Sequence, residues 1–382
     1  MQMTRRVRIS TGLMCNIRCP FCYYNEELNQ QQYQFQEVID MLDTAWDLGI
    51  RDIDFSGGEP TMRKDFVDMV AYAKEKGFNQ ICVITNGTRI ANKDYLRSLK
   101  DAGLNEILMS VHAADESVSN LLSGRHQVLE KVLKALDNAS DLGVRVRSNT
   151  VVNQENRESL LEIAEIVKRY DIAAHNFICF NDWVNASPVT AKMAVRFSEV
   201  ADDIKRCVEI LNESVSKVTV RYMPYCFMQG MEQHVCNLRQ NLFDNDEWND
   251  SVKRVVTDID KPEKITYYKN KLNSVYRQHR SDIHDQISRY GLADRYHENM
   301  ENSFSELREE NVVPAHIVEN FALLKDDYVK SDACRECSRN AICDGVHKSY
   351  GNFIGTEELK AVSGDGLLHP MHFRSNYTSQ WR

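Results

Sequence analysis

Cys15, Cys19 and Cys22 stand in LMCNIRCPFCYYN with the spacing C-x3-C-x2-C, and Phe21 precedes the last of them. Three thiolates this close in sequence can hold three irons of a cubane cluster. Iron–sulfur clusters are normally held by four cysteines, so a local trio leaves one iron with an open position or a remote ligand. Zinc is the rival, but its sites are usually built from paired C-x2-C units or nearby histidines, and this stretch offers neither. A second set, CRECSRNAIC, places Cys334, Cys337 and Cys343 in the spacing C-x2-C-x5-C, for which a zinc knuckle is the rival reading.

The remaining cysteines separate from these sets by context. The chain has 382 residues and eleven cysteines. No apolar run approaches the ~18–20 residues of a membrane span, and MQMTRRVRIS lacks the apolar core of a secretory signal. The expectation is a cytoplasmic protein with no membrane partner. Thiols stay reduced there, so clustered cysteines read as metal ligands rather than disulfides. Cys82, Cys179 and Cys207 lie in apolar contexts and read as buried hydrophobes. A hydrophobic content of 42% with 27% charged residues suits a globular protein, and the net charge of −9 argues against broad nucleic-acid binding.

The first cysteine set needs elements to position it, and residues 6–180 supply a strand-then-helix alternation. Strand-like runs occupy 5–10, 51–57, 80–87, 106–112, 144–152 and 174–180. Helical patterns lie between them at 36–49, 64–77, 92–103, 126–143 and 156–170, four of the five ending in glycine. Six such repeats imply a parallel sheet with right-handed crossovers, either open or closed into a full or partial barrel. In either case chemistry gathers at the C-terminal strand ends. The cysteine trio follows the first strand directly and lies at that edge. Other strand ends are polar: SGGEP at 56–60, TNG with Asn86, Ser110 and His112 on the fourth, and Arg147, Ser148 and Asn149 on the fifth. Each alone is ordinary turn chemistry; together, around a cysteine trio, they point to a site.

The ordered set CNIRCPFC, GGEP, ITNG and SVH closely resembles the radical S-adenosylmethionine (SAM) superfamily over roughly residues 5–180. The resemblance implies an α/β fold, a partial (β/α)6 TIM-like barrel. It implies that Cys15, Cys19 and Cys22 hold a [4Fe–4S] cluster whose open iron binds the amino and carboxylate groups of SAM. It places Gly57, Gly58 and Glu59 at the methionyl ammonium and Phe21 near the adenine. Ser110, Asn86, Arg147 and Asn149 fall near the ribose or carboxylate. The reaction it implies is reductive cleavage of SAM to methionine and a 5′-deoxyadenosyl radical, which abstracts a hydrogen atom from a substrate. An electron donor such as flavodoxin or ferredoxin is the expected partner.

Past the barrel core (1–185) the sequence suggests a linking helix and the start of an auxiliary segment (186–240), with KVTVRYMPYC read as a strand ending at Cys226. A mostly helical insertion (241–330) and a C-terminal cluster-binding segment (331–382) follow. The spacing of Cys334, Cys337 and Cys343 resembles the SPASM and twitch extensions, which bind auxiliary Fe–S clusters. One auxiliary [4Fe–4S] cluster is expected, with Cys226 as fourth ligand and Cys236 and His347 as alternatives. A fuller SPASM pattern would have a cysteine where His347 stands. HPMHF at 369–373 is a further segment that could reach the active site, and Asn181, Asp182, Arg221 and Tyr222 are placed where a substrate could meet them. The barrel begins almost at residue 1, which tilts the expected substrate toward a small molecule: a sugar, nucleoside or amino-acid derivative. A maturase of a ribosomally made peptide is the alternative, and a metal-stabilised scaffold without turnover is a third.

Overall fold

Polar side chains on one face of the first two strands and apolar side chains on the other divide the inside of the barrel from its outer wall. The structure is a computed structural model and describes residues 4–22, 24, 32–181, 191–301 and 304–374. Arg6–Ser10 (β1), Asp52–Ser56 (β2), Gln80–Thr85 (β3), Glu106–Ser110 (β4), Arg145–Val152 (β5) and Ile172–Cys179 (β6) pair in parallel in chain order. Val7, Ile9, Ile53, Phe55, Ile81 and Val83 belong to the apolar core. Around the sheet run Phe35–Asp47 (α1), Phe66–Lys76 (α2), Lys93–Ala102 (α3), Glu116–Ser123 (α4), Val128–Leu142 (α5), Leu160–Lys168 (α6) and Phe197–Asn212 (α7).

The partial barrel is the expected fold, with one strand more than the six repeats. Lys217–Arg221 (β7) pairs in parallel with β6. The run that reads as the opening of the auxiliary segment therefore begins inside the barrel sheet. The sheet curls. Arg6 on β1 reaches Glu106 on β4 at 2.9 Å, although strands three apart in a flat sheet stand about 14 Å from each other. The free edge of β1 is covered: Trp248 pairs with Arg6, and the Asn249 amide donates to the Arg6 carbonyl at 2.8 Å. The chain then enters Asp250–Thr257 (α8), Pro262–Gln278 (α9), Arg280–Arg289 (α10), Ala293–Glu301 (α11) and Val312–Asp327 (α12). Tyr328–Val329 (β8) and Val346–His347 (β9) form a small antiparallel ladder that brackets the second cysteine set, and Lys348–Phe353 (α13) follows.

The N-terminal end of the barrel is locked by buried charge. Arg6 Nη1 lies 2.6 Å from Asp54, and Arg147 reaches Glu106 at 2.6 Å and Asp54 at 3.1 Å. The Trp248 indole donates to Asp54 at 2.7 Å. Burial would raise the Asp54 pKa, but the two guanidiniums hold it below the usual carboxylate range. This corrects the placement of Arg147 at the SAM ribose or carboxylate. Its side chain is 2% exposed and committed to two carboxylates, at the level of Leu108 rather than of Ser110. Asp54, Cys82 and Glu106 form the one group of three potential metal ligands, among the described residues, whose donor atoms all lie within 4.8 Å of one another; the arginines already neutralise it.

HPMHF also lies elsewhere than at the catalytic edge. Met371 and Arg374 line a cavity with Arg6, Asp52, Gln80 and Glu106, the first residues of β1 to β4. Arg374 pairs with Asp244 at 2.9 Å. The segment closes the end of the barrel opposite the cysteine trio.

Candidate functional site

At the C-terminal edge, the loop after β1 and the loop after β2 are fastened backbone to backbone. The Gly58 amide donates to the Gly12 carbonyl at 2.9 Å, and the Glu59 amide to the Met14 carbonyl at 2.6 Å. Only glycine allows this approach. A Cβ on Gly57, which sits at φ 120°, would lie 2.1 Å from the Gly12 oxygen, and one on Gly58 would lie 2.2 Å from the Met14 oxygen. Cys15 is the next residue, so SGGEP sets the position of the first thiol. The Glu59 side chain turns away from solvent. Its carboxylate accepts from Thr85 Oγ1 at 2.8 Å, from the Asn86 amide at 2.7 Å and from the Thr61 amide at 3.2 Å. Burial raises its pKa, and these donors work against that rise. Glu59 thus ties the GGEP turn to the TNG turn, and what the segment offers a ligand is its backbone. Asn86 in turn donates to Asn16 Oδ1 at 2.9 Å, which reaches into CNIRC itself.

Beside Cys19 opens a mainly apolar cavity, walled by Ile17, Leu122 and Val128 and carrying Asn86, Ser110 and His112 as polar groups. Ser110 pairs with Asn149 across β4 and β5, and the buried Asn149 Oδ1 has no partner among the described residues. Phe21 meets His112 edge-on at 5.0 Å and packs with Leu122, Phe180 and Met193. His112 is half-buried, and the desolvation of its ring lowers its pKa to about 4. The Val151 amide donates to its Nδ1 at 3.2 Å, so the neutral ring carries its proton on Nε2. The SVH motif marked this histidine at a strand end without giving it a role; Asn16, hidden between two cysteines, carried no signal of its own.

The trio shows a mutual influence. Burial raises the pKa of Cys19, and Cys22 and Cys15 add to the rise; burial likewise raises Cys15 and Cys22. Unligated, the thiols keep their protons, and metal binding would release them.

Cys226, Cys334, Cys337 and Cys343 line one cavity. Amides aim at their sulfurs: Val362 donates to Cys337 at 3.3 Å, Gly345 to Cys343 at 3.5 Å, and Lys360 to Cys226, whose pKa burial pushes up to about 11. N–H groups directed at cysteine sulfur suit cluster thiolates, whose potential such bonds tune. Cys236 is buried elsewhere, near Asp244 and Arg374. His347 Nδ1 accepts from the Ser349 amide at 3.2 Å and caps α13. Both alternatives lie outside the cavity. Of the other polar positions, Arg221 pairs with Glu247 at 2.9 Å, Asn181 accepts from the Ser349 hydroxyl at 3.2 Å, Tyr222 sits at φ 63°, and Asp182 lies outside the described residues.

Known proteins are similar to part of this chain. The family model described as "Radical SAM superfamily" matches residues 9–167. A protein named "Probable GTP 3′,8-cyclase" from Saccharolobus islandicus is 32% identical over 162 residues, 42% of this chain and 52% of the relative. Its namesake from Sulfolobus acidocaldarius is 29% identical over 168 residues, 44% and 53% of the two chains. The chain spans about half the length of the curated relatives it matches. Among solved structures, Streptococcus suis SuiB bound to S-adenosylmethionine superposes with a TM-score of 0.45 at 18% identity, over 55% of this chain and 47% of SuiB. Over residues 9–167 the chain is similar to the radical SAM superfamily, and that similarity implies a [4Fe–4S] cluster and SAM as cofactors.

Proposed function

We propose that the chain is a radical SAM enzyme that abstracts a hydrogen atom from a small molecule: a sugar, nucleoside or amino-acid derivative. The observation that carries the reading is the clasp of Gly58 and Glu59 onto Gly12 and Met14, which sets the GGEP backbone against the cysteine loop. When bound, the cluster and SAM supply the 5′-deoxyadenosyl radical. Cys15, Cys19 and Cys22 would hold three irons. The backbone of Gly57 to Glu59 would receive the methionyl end of SAM. Asn149 Oδ1 and the Ser110 hydroxyl would meet its polar groups, and Phe21 with the apolar wall beside Cys19 would exclude water from the adenine. Cys226, Cys334, Cys337 and Cys343 would hold one auxiliary [4Fe–4S] cluster with every iron ligated.

The test is anaerobic reconstitution with iron and sulfide, then SAM and dithionite, with flavodoxin or ferredoxin as a second electron source. Formation of 5′-deoxyadenosine that is lost in Cys19→Ala is the expected result. An iron-loaded protein that forms none is a scaffold, and the reading fails. The stretch shared with proteins named GTP 3′,8-cyclase makes nucleotides the first small molecules to try. Deuterium passing from a labelled candidate into 5′-deoxyadenosine identifies the substrate; transfer from a peptide alone would reverse the small-molecule assignment.

A further inference from the structure

Lys330 follows β8, and the antiparallel register that pairs Val329 with Val346 brings it opposite Gly345. Gly345 stands at φ 87°, and a Cβ there would lie 2.7 Å from Lys330 Cγ and 2.4 Å from the Val329 carbonyl oxygen. The missing side chain gives the lysine stem its path. At the tip, Nζ donates to the Asn340 carbonyl oxygen at 2.7 Å and to its side-chain oxygen at 2.8 Å. Asn340 lies between Cys337 and Cys343 and lines the same cavity as Lys330 and the four thiols. The ammonium is thus anchored on neutral oxygens of the cysteine loop. Arg335 offers a contrast in the same loop. It adjoins Cys334, yet its side chain is 81% exposed and pairs with Asp332 at 3.0 Å.

We propose that Lys330 is a positioning charge for the auxiliary site, fixed at the cavity wall so as to raise the reduction potential of the cluster bound there. The inference rests on the four-cysteine assignment above. Four thiolates give such a cluster a negative charge, and reduction adds another, so a nearby cation stabilises the reduced form more than the oxidised one. Lys330 is exposed on its outer side, so salt should screen the effect.

The experiment starts from the triple variant Cys15→Ala/Cys19→Ala/Cys22→Ala, which isolates the auxiliary cluster at about four irons per chain. Its midpoint potential is followed by EPR during redox titration at low and high salt. Adding Lys330→Met should move the midpoint to a more negative value, by more at low salt. Lys330→Arg and Arg335→Met should leave it in place. An unmoved midpoint with iron retained overturns the proposal, as does an equal shift in Arg335→Met. If Lys330→Met loses its iron, Lys330→Gln is titrated instead. Loss from both neutral variants with retention in Lys330→Arg supports a role for the charge; loss from all three shows a structural residue and overturns it. A parent triple variant that binds no iron refutes the four-cysteine assignment itself.

Discussion

Gly58→Ala separates the two loops that the catalytic edge depends on. The added Cβ would lie 2.2 Å from the Met14 carbonyl oxygen, 2.6 Å from its carbon and 2.7 Å from the Leu13 carbonyl carbon. All three are backbone atoms, so no rotamer change relieves the clash. Ordinary contact between carbon and oxygen begins near ~3.4 Å, so the loops must part by about 1.2 Å. That breaks the 2.9 Å bond from Gly58 to Gly12 and the 2.6 Å bond from Glu59 to Met14. At about 0.5–1.5 kcal/mol net for each bond, the loss comes to about 1–3 kcal/mol. Cys15 moves with Met14, and a displacement of ~1 Å near a reacting centre costs on the order of a hundredfold in rate. The assay measures 5′-deoxyadenosine per unit time under excess reductant, normalised to iron in the same sample. A hundredfold fall is expected. A variant that keeps the parent rate per loaded cluster and the parent stability refutes the reasoning.

Other substitutions probe the remaining assignments. Arg147→Ala leaves Asp54 and Glu106 buried without one of their partners, which should cost about 3–5 kcal/mol in chemical denaturation; unchanged stability with weakened SAM binding would return Arg147 to the SAM site. Cys226→Ala should remove the auxiliary iron, lowering content from about eight to about four per chain, while Cys236→Ala and His347→Ala keep it; the opposite pattern refutes the ligand set. His316 on α12 is buried with both ring nitrogens unpartnered among the described residues, and burial lowers its pKa to about 4. The unfolded imidazole takes its proton first, near 6.5, so its contribution to stability is intact above that value and is lost as pH falls toward 4. Between pH 7.5 and 5.5 the loss is about 1.3 kcal/mol, and His316→Leu should remove it; identical pH dependence in both proteins would contradict the burial argument.

The cysteine trio, GGEP and TNG were legible because each follows a strand directly, and a strand's end fixes which edge its loop reaches. Depth inside the barrel was not legible. Arg147 and Asn149 are two residues apart and face the same interior, but only the register with Leu108 and Ser110 shows that one is locked near the closed end and the other stands at the open one. The short α4 escaped notice because ESVSNLLS has little apolar periodicity. Its Asp115 cap, which accepts from the Val118 amide at 2.9 Å, is a local cue that loops share. Cys226 was recoverable from the strand before it, whereas the membership of that strand in the barrel sheet depends on pairing with β6, a contact between distant parts of the chain.

That pairing bears on how the two cysteine sets can be recombined. Four residues separate the last β7 residue, Arg221, from Cys226, too short a passage for a flexible tether. A chimera joined between the barrel and the second cysteine set would have to carry β7 with one half and Cys226 with the other, and either choice strands a sheet edge or a ligand. The distance between the two redox sites is therefore inherited from the barrel itself, and exchange of the C-terminal portion among related chains should succeed only at joints placed before β7.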